Sequence, residues 1–235
     1  MKRPTKILGV LGGMGPAATA EFMRLLAELA PANFDQEHPE IIVYNHTATP
    51  NRTDCIFGTG PDPTPELKYG IDKLITWGAG VLAVPCNTAH YFLDKIRSEI
   101  SVPLIHIIEE TIRRSQELSP EGAWLTSTLG TAKTGLYQKH TASMAYSFRY
   151  PETSEQEIIH DITNLVKVGE TQKAGERYRE VIEKLWKREK LPIVGACTEL
   201  PIAYAYTGLE ESDFISSLKE LARGTIKYLY EIRET

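Results

Sequence analysis

Short apolar runs alternate with stretches of helical periodicity through most of the chain. Lys6 to Gly12 reads as a buried strand, and Pro16 to Ala30 sets Ala20, Met23, Leu26, Ala27 and Ala30 on one helical face, with Pro16 near the first turn. A strand over Glu40 to His46, a helix over Pro65 to Trp77, a strand over Gly80 to Cys86 and a helix over Thr88 to Ile100 continue the series. The pattern then restarts with a strand at Ala123 to Thr128, a short helix at Gly135 to Ser143, a strand at Tyr146 to Tyr150 and a helix at Ser154 to Lys167. A charged amphipathic helix reaching Lys190, a strand at Leu191 to Cys197 and a terminal helix from Ser212 complete it. Such alternation predicts an α/β fold of mainly parallel sheets flanked by helices.

Each half contains a strand ending in small or hydroxyl residues (Gly12 to Gly15; Thr126 to Thr131) and, about 70 residues later, a strand ending in cysteine, at Cys86 and Cys197. The shared offset predicts two related half-domains. Residues 1–105 plus about 211–235 form the first and 106–210 the second, with the chain crossing between Val102 and Ile107.

Charge and composition narrow the function. Acidic residues outnumber basic ones 31 to 26 and no basic patch forms, which excludes a nucleic-acid partner held by its phosphates. Three cysteines, an odd number in a chain long enough to do without staples, predict reduced thiols and a cytoplasmic protein. Lys2, Arg3 and Lys6 before Ile7 to Leu11 imitate a signal peptide, but Gly12, Gly13, Gly15 and Pro16 end the apolar run short of the ~7–15 residues a signal needs. No apolar stretch approaches the ~20 residues of a membrane span, so no membrane partner is expected.

Several local patterns carry chemistry. Gly13-Met-Gly15-Pro-Ala-Ala18 fits a GxGxxA dinucleotide turn, but the second strand ends in Asn45 and His46 rather than the acidic residue that a nicotinamide reading requires. A helix N-terminus of this kind equally holds a carboxylate, or simply turns the chain. Cys86 and Cys197 each stand at the carboxyl end of a strand, where an open parallel sheet places its ligands, and polar residues follow each (Asn87, Thr88; Thr198, Glu199). A helix N-terminus beside either thiol would favour its thiolate, whereas a buried small hydrophobe is the plain alternative. Cys55 lacks such a context, and the scattered histidines with no short Cys-x-Cys spacing argue against a metal. His90, four residues after Cys86, suggests a Cys–His hydrolase base or an ordinary helix histidine. The Gly/Pro-rich segment Ala48 to Pro65 is long for a plain connection; its Arg52 could hold a carboxylate or lie solvated, and Lys167 could likewise be a simple helix-terminal cation.

Ile7-Leu-Gly-Val-Leu-Gly-Gly-Met-Gly-Pro16, Pro85-Cys-Asn-Thr-Ala-His90 and Gly195-Ala-Cys-Thr-Glu-Leu-Pro201, in this order and spacing, resemble the aspartate/glutamate racemase family, nearest its aspartate racemases. Asn51-Arg-Thr53, Leu125 to Thr131, Gly135-Leu-Tyr137 and Leu165-Val-Lys167 extend the likeness across nearly the whole chain. Ala196, Leu129 and the highly charged helix Gly169 to Lys190 depart from the family pattern.

The resemblance implies two Rossmann-like half-domains related by a pseudo-twofold, with the site between them. It implies racemisation without a cofactor, Cys86 and Cys197 serving as the acid/base pair on opposite faces of the substrate α-carbon. Arg52 and Lys167 would meet the carboxylates of a small acidic amino acid, aspartate with glutamate as a further substrate. Met14, Gly15, Asn87, Thr88, Thr128 and Thr198 would contribute polar or backbone contacts, with Glu199 in the family pattern beside them. A homodimer is expected on the same ground. Two other readings stay open: a cysteine-dependent isomerase or lyase of a small dicarboxylate, as in the related maleate isomerases, and a non-catalytic dicarboxylate-binding module.

Overall fold

A computed structural model describes residues 3–232; Met1, Lys2 and residues 233–235, which the sequence reading places at the ends of the first half, lie outside the described residues. The chain starts with β1 (Leu8–Gly12), α1 (Pro16–Leu29), β2 (Ile41–Asn45), α2 (Arg52–Phe57), α3 (Thr64–Thr76), β3 (Val81–Ala83), α4 (Asn87–Ile96), β4 (Leu104–Ile105) and α5 (Ile107–Leu118). It continues through β5 (Trp124–Ser127), α6 (Leu129–Thr134), α7 (Leu136–Thr141), α8 (Thr153–Lys167), α9 (Thr171–Arg188), β6 (Ile193–Ala196), α10 (Leu200–Tyr204), β7 (Phe214–Ser216) and α11 (Ser217–Leu229).

The strands form two parallel sheets, ordered β2-β1-β3-β4 and β5-β6-β7. Strands β1, β3 and β4 therefore match β5, β6 and β7 in order and direction, and β2 is an addition to the first sheet. Every residue of β1, β3, β5 and β6 is buried, as expected where helices cover both faces of a parallel sheet and the strands become continuous apolar runs.

One apolar cluster joins the halves: Val10, Phe22 and Leu218 from the first half pack with Ile112, Leu125 and Val194 from the second. Two further clusters lie on the outer sides of the sheets, around Leu11, Leu74 and Phe92 and around Ile159, Tyr178 and Leu200. No helix among the described residues is long and apolar enough to cross a membrane.

Besides adding α6 and α10, the structure differs from the pattern at four places. The segment read as an open loop, Ala48 to Pro65, contains α2, capped by the Asn51 side chain, which accepts from the amides of Thr53 and Asp54. The crossing after Val102 is itself a strand, β4, and leads into α5. The terminal helix does not begin at Ser212: β7 intervenes and pairs with β6, and α11 starts at Ser217. Tyr146 to Tyr150 makes an isolated bridge, Arg149 with Trp124, rather than a full strand. We propose the same division into halves, with residues 214–216 given to the second sheet that they complete.

Candidate active site

Both cysteines lie where their strands end. Beyond β1 the chain turns at Gly13, whose φ of 94° and whose position against the His46 carbonyl leave no room for a Cβ. The turn is held by the Gly13 amide, which donates to Thr19 Oγ1 at 3.0 Å, and it presents Met14 and Gly15 at the start of α1. Beyond the neighbouring β3, Cys86 is the N-cap residue of the ten-residue α4. Cys197 follows β6 directly and is followed by Thr198, Glu199 and α10.

These ends meet on one small cavity, with about 30 Å³ open to the centres of water molecules. Cys86 and Cys197 line it together with Met14, Arg52, Asn87, Thr88, Thr128, Lys167, Thr198 and Glu199. Gly15 borders it: a Cβ there would stand 3.3 Å from Glu199 Oε1, so this carboxylate reaches over the turn after β1. Asn51 and Thr53, quoted in the sequence motif without a role, complete the wall.

The halves are tied together around this cavity by hydroxyl and amide groups. Thr88 Oγ1 lies 3.0 Å from Thr128 Oγ1 and 2.9 Å from Thr131 Oγ1, and Thr128 also caps α6 by accepting from the Thr131 amide. Gly130 lets α6 approach α2, because a Cβ there would meet Thr53 Oγ1 at 2.7 Å and Thr53 Cα at 3.2 Å. Asn87 is fixed from both ends: the Tyr137 hydroxyl donates to its Oδ1 at 2.7 Å, and its Nδ2 donates to Ser217 Oγ at 2.9 Å. Ser217 Oγ in turn donates to the Gly195 carbonyl at 2.7 Å, two residues before Cys197. Thr131 and Ser217 were not singled out by sequence reasoning. Ser217 lies 130 residues from Asn87 and carries no local signal beyond its place at the start of a helix.

The two thiols are equally buried, each 6% exposed, but their surroundings differ. Cys197 Sγ donates to Glu199 Oε2 at 2.9 Å, and Thr198 Oγ1 donates to the same oxygen at 3.3 Å. Burial, reinforced by the Glu199 charge, pushes the Cys197 thiol well above its ordinary pKa, against the opposing charge of Lys167. Arg52 gives Nη1 to the carbonyls of Pro50 (2.9 Å) and Thr49 (3.3 Å) and Nη2 to that of Met14 (3.4 Å). Its Nε is buried without a partner, a donor of the kind that a bound acceptor completes. Lys167 Nζ donates to Asn164 Oδ1 at 3.5 Å.

Other candidates fall away from the cavity. His90 is fully buried, does not line the cavity, and bonds through Nδ1 to the Cys86 carbonyl at 2.9 Å, so it is not placed as a base for the thiol. Cys55, half-buried on α2, is not among the lining residues, and all three cysteines are free. The histidines that look scattered along the chain are partly gathered by the fold: ligand atoms of Asp94, His106 and His140 lie within 4.8 Å of one another.

The chain matches the Asp/Glu/hydantoin racemase family over residues 11–221. It is 26% identical over 228 residues to the broad-specificity amino-acid racemase RacX of Bacillus subtilis strain 168, a match covering 94% of this chain and 96% of that protein. Among solved structures it is similar to the Picrophilus torridus aspartate racemase, with a TM-score of 0.81 and 27% identity over 96% of this chain and 94% of the other. An aspartate racemase homologue from Pyrococcus horikoshii OT3 shares the fold with a TM-score of 0.75 and 21% identity, over 96% of this chain and 100% of the other.

Proposed function

The chain belongs to the Asp/Glu/hydantoin racemase family, and on that premise we propose that it interconverts L- and D-aspartate by passing protons between Cα and the two sulfurs of Cys86 and Cys197, with no cofactor. The observation that carries this reading is the pair of cysteines at the ends of matching strands, facing one small cavity that Arg52 and Lys167 also line.

Cys86, at the N-terminus of a ten-residue helix, acts first as the base, while Cys197 keeps its proton against Glu199. The Cys86 sulfur takes the Cα proton from one face, and the bonding pair passes onto Cα and its carboxylate. Cys197 then delivers its own proton to the opposite face. Turnover leaves Cys86 as thiol and Cys197 as thiolate, the state from which the reverse reaction starts. Arg52 and Lys167 bind the two substrate carboxylates, and the partnerless Arg52 Nε supports its share in this. Donors aimed at the α-carboxylate lower the cost of the carbanionic charge, and the free amides at the start of α4 are placed to serve.

The likeness to an aspartate racemase supports aspartate over the longer glutamate. A wider amino-acid range is the second reading, favoured by the likeness to a broad-specificity racemase. Incubation of each enantiomer of aspartate and glutamate in heavy water with a chelator, followed by chiral chromatography and mass spectrometry, tests both. We expect either aspartate enantiomer to yield the other with deuterium at Cα, and glutamate to react more slowly. Full optical purity without exchange for both amino acids overturns the proposal; turnover of neutral amino acids at the aspartate rate establishes the second reading.

A further inference from the structure

A second cluster of ligand-type side chains lies where the last turn of α4, the start of α5 and the last turn of α7 meet. Asp94 accepts from both neighbouring imidazoles: His106 Nε2 stands 2.9 Å from Oδ1 and His140 Nε2 stands 3.3 Å from Oδ2. All three ligand atoms fall within 4.8 Å of one another. Around a tetrahedral zinc-type ion with bonds of roughly 2.0–2.1 Å, ligand atoms sit about 3.3 Å apart, so an ion could enter with small side-chain shifts. The side chains of Asp94 and His140 are 33% and 20% exposed, which leaves a route for the ion and an open position for water.

Two buried nitrogens supply an independent observation. His90 Nδ1 faces the Cys86 carbonyl and must donate to it, so its Nε2 is a bare lone pair, fully buried and without a partner. His106, donating from Nε2 to Asp94, leaves its buried Nδ1 as a bare lone pair as well, again without a partner. The two rings are 4.4 Å apart between centroids, yet two acceptors cannot satisfy each other. A metal bound at His106 Nε2 displaces that proton and places one on Nδ1, so that the neighbouring rings then hold one donor and one acceptor. Metal-ligating histidines commonly give their second N–H to an acceptor in this way.

We propose that Asp94, His106 and His140 bind a divalent transition ion of the zinc type, with water as the remaining ligand, and that the ion clamps α4, α5 and α7 behind Cys86. The clamp reaches the active site along two paths. His90 holds the Cys86 carbonyl, and Tyr137, one turn before His140 on α7, holds Asn87. The ion acts on position and stability and takes no part in the proton transfers.

The test uses the full chain, stripped with a chelator and desalted, titrated with zinc sulfate by calorimetry and with cobalt(II) by absorption spectroscopy. We expect one equivalent of zinc, a cobalt spectrum without sulfur-to-metal charge-transfer bands, and a rise in melting temperature with zinc. The Cys86→Ser/Cys197→Ser double variant retains that binding, as does His38→Ala, which removes a histidine outside the cluster, after the turn Asp35–Glu37. His140→Ala and Asp94→Asn each weaken it by more than roughly 100-fold, beyond the loss expected for an outer partner of a ligand. His140 is partly exposed and its variant should fold, with Asp94→Asn as the conservative second. Absence of binding to the parent chain, binding unchanged in both cluster variants, or binding lost with the cysteines overturns the proposal.

Discussion

Cys86 and Cys197 end corresponding strands of two corresponding sheets, yet one starts a ten-residue helix and the other donates a hydrogen bond to a buried glutamate. Topology places the sulfurs; the side chains after them make their surroundings unlike. Position alone would make the site symmetric; burial and the Glu199 charge raise the Cys197 pKa and break that symmetry. On the proposed mechanism, the direction that starts from a Cys197 thiolate bears the cost of burial and of the Glu199 charge.

The largest effect comes from removing either side of the comparison. Cys86→Ala and Cys197→Ala should each lower kcat for racemisation by roughly 10²–10⁴ or more, the range lost with a general acid or base. Chiral turnover assays check this, and near parental activity in either variant ends the two-thiol mechanism.

A smaller change should make the two thiols more alike. Glu199→Gln keeps an acceptor for the Cys197 proton but removes the charge that raises its pKa, so the alkaline limb of the pH–rate profile should move to lower pH. The same shift enters stability. Folding raises the Cys197 pKa, so its contribution is complete below about 8.5, the usual thiol value, and is lost as pH rises through the folded value. The variant should lose less stability above that pH than the parent, as read from denaturant midpoints. An alkaline limb that stays in place would show that Glu199 does not govern the thiol.

The smallest effect should come from the link between the two sides. Ser217→Ala leaves Asn87 Nδ2 and the Gly195 carbonyl without their shared partner, at a cost of about 1–3 kcal/mol in unfolding free energy. kcat should fall while KM changes little, because the thiols lose their setting before the carboxylate contacts do.

Much of this was legible locally. The glycine turn after β1 and the cysteines at strand ends are short-range patterns, and they place the first sheet and both sulfurs. What stayed hidden had physical reasons. The apolar stripe of α5 is diluted by Thr111 and Ser115, buried residues that satisfy their hydroxyls on the helix's own carbonyls. Helix α2 spans only six residues before the Gly/Pro-rich run, so Asn51 as its cap was the one available sign. β7 has three residues, too few for any periodicity. Asp94, His106 and His140 come from separate helices, so their meeting is a product of the tertiary packing alone.

The Ser217 hydroxyl acts as a fixed gauge. It links the residue after Cys86 to a strand residue two before Cys197, so on the proposed mechanism the gap that a substrate carbon would fit is held by a buried hydrogen-bonded strut rather than by the walls that would meet the side chain. Substrate range can then vary on the Arg52 side of the cavity, where the wall is a short, separately capped helix, while the reach of the proton transfer stays constant. On that mechanism reaction type and substrate choice would be separable, and redesign for a bulkier amino acid should begin at α2 and leave the strut intact.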